Sequence, residues 1–152
     1  MANLFNKDFQ DFIQVLNKNE VKYILVGGYA VILHGYIRST ADMDIWVNKT
    51  AVNYRKLRKA LKEFGAPSFS QNEFLGDEFN VWGIGREPNR IEIMNEVKGL
   101  TFDIAYQESA IYQQENLNIR FINFKNLLDA KNAAGRFKDK NDIEQLTKKK
   151  KD

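Results

Sequence analysis

Two aspartates, Asp42 and Asp44, stand inside the apolar run that closes the segment VGGYAVILHGYIRSTADMDIWV, residues 26–47. An apolar run of this kind folds as a strand, in which residues i and i+2 share a face. Met43, Ile45 and Val47 then point into a core, and the two carboxylates project side by side, about 7 Å apart along the strand. Two like charges held together beside a core repel, more so where water is scarce. A half-exposed strand can solvate them, or a divalent cation can offset the repulsion. Oxygen-only ligands suit Mg²⁺ (or Mn²⁺), and Mg²⁺ binds through one or two carboxylates together with substrate phosphates.

Upstream, the short apolar run Tyr23–Val26 ends in the pair Gly27-Gly28, and thirteen residues separate that pair from Asp42. A glycine pair between a strand and a helix exposes backbone N–H groups where an anion is favoured, although it also makes an ordinary tight turn. Arg38, Ser39 and Thr40 lie just before the carboxylates. Arg38 has the geometry to pair with a triphosphate, or to form a salt bridge. Trp46 shares the carboxylates' face by alternation and can stack on a base or pack in the core. Lys131, Arg136 and Lys138 cluster further on, beside Asp139 and Asp142. They would neutralise phosphates, hold a nucleic-acid acceptor, or be tied up by those acids. His34, the only histidine, is a conceivable general base. Its place in an HG pair at a helix end favours a structural role.

At 152 residues the chain has the length of one domain, residues 1–152, with one sizeable core. Its formal charge is +3, much of it from the run Lys148–Lys151; that tail, 148–152, is expected to be frayed. Charge alone therefore gives no general nucleic-acid surface. Cysteine is absent, which excludes disulfides, thiol catalysis and thiolate metal sites. No apolar run approaches the roughly 20 residues that span a bilayer, and the N-terminus has no signal-peptide pattern. The expectation is a cytoplasmic protein without a membrane partner.

Periodicity predicts helices over 4–18, 29–34, 52–64, 100–108, 124–134 and 140–148, with Gly35, Gly65 and Gly135 as stops. It predicts strands over 23–26, 42–48, 79–84, 90–94 and 117–122, the third and fourth joined by the turn Gly85–Asn89. Residues 66–78 read as loop with local helix. Strands interleaved with helices give an α/β (α+β) domain on a mixed sheet flanked by helices, with two C-terminal helices.

The order apolar residue, Gly-Gly, thirteen residues, apolar-flanked Asp-x-Asp resembles the signature of the nucleotidyltransferase superfamily that includes DNA polymerase β. More narrowly, residues 27–47 are similar to small bacterial nucleotidyltransferase-like proteins related to abortive-infection and toxin–antitoxin systems. PNRIEIMNEVKGLTFDIAY, residues 88–106, and NLLDAKNAAGRFKDKNDIEQL, residues 126–146, extend the likeness over most of the chain. The resemblance implies a minimal nucleotidyltransferase fold and a two-metal transfer of a nucleoside monophosphate from a nucleoside triphosphate to a hydroxyl. RNA, a protein or a small molecule would be the acceptor. Asp42 and Asp44 would hold the metals, and a third carboxylate is expected on a neighbouring strand. Glu92, within Ile91-Glu92-Ile93, matches best. It departs from an Asp at that place, with Asp103 in reserve as a first-turn acid of a helix. Gly27, Gly28, Arg38, Ser39, Thr40, Trp46, Lys131 and Arg136 would bind the nucleotide. A nucleotide-binding module without catalysis, or a protein that binds a toxin–antitoxin partner, is the rival reading.

Overall fold

The structure, a computed structural model, describes residues 4–151. Its elements run α1 (Lys7–Lys18), β1 (Tyr23–Val26), α2 (Gly27–Leu33), β2 (Asp42–Val47), α3 (Ala51–Phe64), α4 (Gln71–Leu75), β3 (Val81–Ile84) and β4 (Arg90–Met94). They continue with α5 (Phe102–Gln107), β5 (Ala110–Gln114), β6 (Leu117–Phe121), α6 (Phe124–Ala134) and α7 (Phe137–Lys151). The strands form one mixed sheet in the order β3-β4-β2-β1-β6-β5.

Local chemistry sets the helix ends. The side chains of Asn6, Thr50 and Asn123 accept hydrogen bonds from the backbone N–H of Phe9, Asn53 and Asn126, capping α1, α3 and α6. Gly65 and Gly135 take left-handed conformations that stop α3 and α6. The carboxylate of Asp139 accepts from the Arg136 N–H at the start of α7, which satisfies an otherwise unpaired donor.

The sheet is covered on both faces. Met43, Ile45 and Val47 of β2, with Leu25, Ile91 and Ile93, are wholly buried against α1, α3 and α4. On the other face Ile24, Val26 and Trp46 meet Phe102 of α5, Leu127 of α6 and Leu146 of α7. Strand β2 is central and pairs antiparallel with β1 and parallel with β4. Its first three residues run past this second core, so its polar positions lie at the edge of the apolar packing.

Several expectations are corrected. The glycine pair makes no separate turn, because Gly27 and Gly28 are the first residues of α2. Strand β5 was not anticipated. Its sequence, AIYQQ, ends in two polar residues, and pairing with β6 through a hairpin, with Glu115 at φ +54°, overrides that weak pattern. Helix α7 starts three residues early, at Phe137, and the expected frayed tail is helical through Lys151. Lys148 lies 3.4 Å from Glu144, one turn back. The Lys150 ammonium is 4.8 Å from the centre of the Phe124 ring, which ties α7 to α6. Asp152 lies outside the described residues.

Candidate active site

The register of β2 against β4 builds the centre of the site. Asp42 lies opposite Arg90 and Asp44 opposite Glu92, so all three carboxylates share the sheet face that carries Trp46. Strand β1 brings Val26 opposite Asp44, and the chain turns into α2 at that point. Gly27 has φ +70°, and a Cβ there would overlap the Asp44 carboxylate, lying 2.9 Å from its Cγ. A Cβ on Gly28 would overlap Thr40, 2.7 Å from its Cβ. The glycine pair thus makes room for side chains of the site itself, beyond any approach to phosphate.

Electrostatics at this face are frustrated. Burial, and then the charges of Glu92 and Asp42, push the Asp44 carboxyl up to about 7. Lys138 and Lys131 pull in the opposite direction. Oδ1 of Asp42 is buried with no hydrogen-bond partner. An orphaned carboxylate oxygen beside a carboxyl held partly protonated is a donor set that fits a hard divalent cation. The third carboxylate fits less well. Glu92 is drawn to Arg90, with Nε 3.3 Å from Oε1, and the Arg90 guanidinium sits in the space that a Cβ on Gly83 would fill. Among the described residues no three acidic or imidazole groups converge as a metal cluster. The pair Asp42 and Asp44 therefore fits a metal that takes its remaining ligands from substrate and water.

Two open cavities meet at Asp44. One, of about 560 Å³, is polar and is bordered by Gly28, Ser39, Thr40, Asp42 and Lys138. The other, of about 700 Å³, is mainly apolar. Met94, Val97, Leu127 and Ala130 line it, with Glu92 and Lys131 at its edge.

The cations predicted to bind nucleotide come close to this site, but they are already paired. Arg38 donates two hydrogen bonds to Asp142, at 2.8 and 2.9 Å. Lys131, only 6% exposed, lies 3.3 Å from Asp139 and 2.9 Å from Asp142. Arg136 donates to Asp139 at 2.7 and 3.2 Å. Burial alone would raise these two aspartates. The hydrogen bonds from Arg136 to Asp139 and from Arg38 to Asp142, with the Lys131 charge, hold both below the usual carboxylate range. The chain of five charges pins α6 and α7 to the segment before β2. Lys138, which the sequence placed in this cluster to neutralise phosphates, hold a nucleic-acid acceptor or pair with the acids, is exposed and borders the polar cavity. It makes no ion pair among the described residues.

Three other candidates are placed elsewhere. Trp46 is corrected from a base-stacking residue to a core residue. It is 2% exposed, edge-on to Phe102 at 5.1 Å, and its Nε1 has no partner. His34 caps α2, and its Nε2 is 2.7 Å from the Ile122 carbonyl; burial lowers its pKa. Asp103 is an exposed acid in the first turn of α5 and borders neither cavity.

The sequence profile of the family described as nucleotidyltransferase of unknown function (DUF6036) matches residues 3–149, and the chain belongs to that family. No curated protein matches it. Among solved structures, a crystal structure titled as that of a "putative nucleotidyltransferase" from Thermotoga maritima is similar. It has a TM-score of 0.59 at 13% identity, over 91% of this chain and 89% of that one. At that identity the likeness is one of fold, and it agrees with the mixed α/β architecture read from the sequence.

Proposed function

We propose that this family member is a metal-dependent nucleotidyltransferase that moves a nucleoside monophosphate from a nucleoside triphosphate to a hydroxyl acceptor. One observation carries the reading: a buried, unpartnered oxygen on Asp42 beside an Asp44 carboxyl raised by burial and then by its acidic neighbours. Asp42 and Asp44 would hold Mg²⁺ or Mn²⁺, which when bound supplies charge neutralisation for the triphosphate and a more acidic acceptor hydroxyl.

The chain's own residues divide the remaining work. Lys138, with Ser39 and Thr40 along the polar cavity, would meet the phosphates. Gly27 and Gly28 keep the backbone low at the start of α2. Arg38, Lys131 and Arg136 would act on the nucleotide through the field of a preorganised network, because Asp139 and Asp142 already hold them. The acceptor oxygen bonds to the α-phosphorus, the bond from that phosphorus to the bridging oxygen breaks, and pyrophosphate leaves. Glu92, opposite Asp44 and lining the second cavity, would take the hydroxyl proton.

The rival is a module that binds nucleotide, or a toxin–antitoxin partner, without turnover. The engagement of Glu92 by Arg90 favours it. The two separate when each of the four α-labelled nucleoside triphosphates is incubated with Mg²⁺ or Mn²⁺ and cell RNA or protein. Label transferred by the parent chain and lost in Asp44→Asn supports transfer. Saturable nucleotide binding with no transferred label in any arm rejects it.

A further inference from the structure

Helix α3 has two unlike sides. Asn53, Tyr54, Leu57, Ala60 and Leu61 are buried, whereas Arg55, Arg58, Lys59 and Lys62 are exposed. Those four cations fall at i, i+3, i+4 and i+7, which places them along one stripe. With Lys56 and a single acid, Glu63, the helix carries a formal +4. The whole chain is only +3, so everything outside α3 sums to −1. Glu63 is itself taken, by Lys18 at 3.3 Å and by Asn19 at 2.7 Å. None of the five cations makes an ion pair among the described residues.

The stripe also borders a groove. Arg55, Arg58, Lys59 and Lys62 line one side of a shallow cleft of about 580 Å³, and Gly65, Ala66 and Ser68 line the other. No carboxylate borders it. Lys56 faces the next depression, which it shares with Lys22, Arg120 and Tyr106, where Glu20 is the one acid. The Arg120 guanidinium lies 4.4 Å and the Lys22 ammonium 5.7 Å from the Tyr106 ring centre. Tyr106 also stacks on Phe102 at 5.5 Å. Its ring is thus occupied and offers no platform for a base.

We propose that the exposed face of α3 binds the sugar-phosphate backbone of a nucleic acid, at a site separate from the carboxylate face. Repeated cations in a concave, acid-free groove match a repeating anion, and the lack of a free aromatic face argues for backbone contacts over base reading. A lipid surface would favour apolar side chains among the cations, and Ala66 is the only apolar residue lining the groove. The sheet also separates the partners. Helix α3 covers the face that bears Met43, Ile45 and Val47, and the three acids face the opposite layer. A polyanion on α3 is therefore kept apart from Asp42, Asp44 and Glu92, whose charge disfavours it on their own face.

The test is fluorescence anisotropy of the full chain with labelled single strands of about 20 nucleotides, as RNA and as DNA, between about 50 and 200 mM salt. Four phosphate contacts predict a slope of log affinity against log salt of roughly −3. RNA and DNA should agree within about tenfold, because the contacts are to the shared backbone. Changing Arg55, Arg58, Lys59 and Lys62 together to Gln should cost at least about tenfold at low salt and flatten the slope. Changing Lys148, Lys149 and Lys150 to Gln should leave the slope intact. Acetylation footprinting of the unaltered chain gives a second readout, in which oligonucleotide should protect Lys59 and Lys62. Binding that survives the α3 changes, or that is lost with the Lys148–Lys150 changes, overturns the proposal. So does protection confined to Lys138 or the C-terminal lysines. Equal competition by polyglutamate or by phosphatidylserine vesicles overturns the assignment to nucleic acid.

Discussion

Replacing Asp44 by Asn should stabilise the metal-free protein, and the gain should grow with pH. The Asp44 carboxyl titrates near 7 in the folded chain against an ordinary value of 3.8. The folded state then holds a proton that the unfolded state has released, so stability falls as pH rises from about 4 to about 7 and levels off above it. Between pH 5 and pH 7 the loss is at most about 2.7 kcal/mol, from two pH units at 1.36 kcal/mol each. Asp44 is partly open to water and shares its repulsion with two other acids, so screening reduces that to roughly 1–2 kcal/mol. Asn nearly conserves the shape and cannot ionise, so the variant escapes this decline. In a domain of this size the difference corresponds to about 3–6 °C in Tm. The assay is thermal unfolding of both proteins with a chelator at pH 5 and pH 8. Taking the difference between the two proteins cancels Asp139 and Asp142, whose lowered pKa values have the opposite effect and cost stability only on acidification. The gap between variant and parent should widen from pH 5 to pH 8, and Mg²⁺ should close it by raising the parent alone. A gap that stays flat, or a variant less stable than the parent at pH 8, refutes the frustrated-carboxylate account.

Three further outcomes are expected. Lys138→Gln should lower Tm only slightly, because the side chain is exposed, makes no ion pair among the described residues and opposes the Asp44 shift only through its charge. It should weaken the thermal shift produced by Mg²⁺ and a nucleoside triphosphate severalfold in ligand concentration, and an unchanged titration would remove Lys138 from the phosphate site. Gly27→Ala should cost about 1–3 kcal/mol in urea unfolding, since the residue has φ +70° and the new Cβ meets the Asp44 carboxylate. Pairing it with Asp44→Gly should recover the part owed to the clash, and a pair no better than Gly27→Ala alone would show that only the backbone angle matters. Lys131→Met should cost about 3 kcal/mol, because it strips a charge from two buried aspartates that retain only Arg136 and Arg38. A variant as stable as the parent would mean that the network does not anchor α7.

The parts of this fold that the sequence made legible are those where one residue period dominates. The alternation in DMDIWV placed Met43, Ile45 and Val47 on one face and the acids on the other, and the burial follows it. Strand β5 escaped because its pairing is supplied by β6, which a local pattern does not contain. Trp46 shows the limit of the same rule within the site. Alternation gives the face a side chain occupies, but how far the covering helices reach decides whether that face is open, and Phe102 closes it one step past Asp44. The cations' partners stayed open between phosphates and acids for a related reason. Arg38 and Asp142 are 104 residues apart, and nothing in the spacing of either foretells a two-bond pair. Net charge misled in the opposite direction, since a modest total concealed a helix of +4 set against a remainder of −1. The helical period of Arg55, Arg58, Lys59 and Lys62 was nevertheless visible in the sequence. Asp139 and Asp142, at the candidate site, are neutralised by cations the fold supplies, whereas Asp42 and Asp44 are left in want of one. On the proposed reading, the carboxylates without protein cations are where an external one would bind, and the α3 cations without protein anions are the complementary feature on the far side of the sheet.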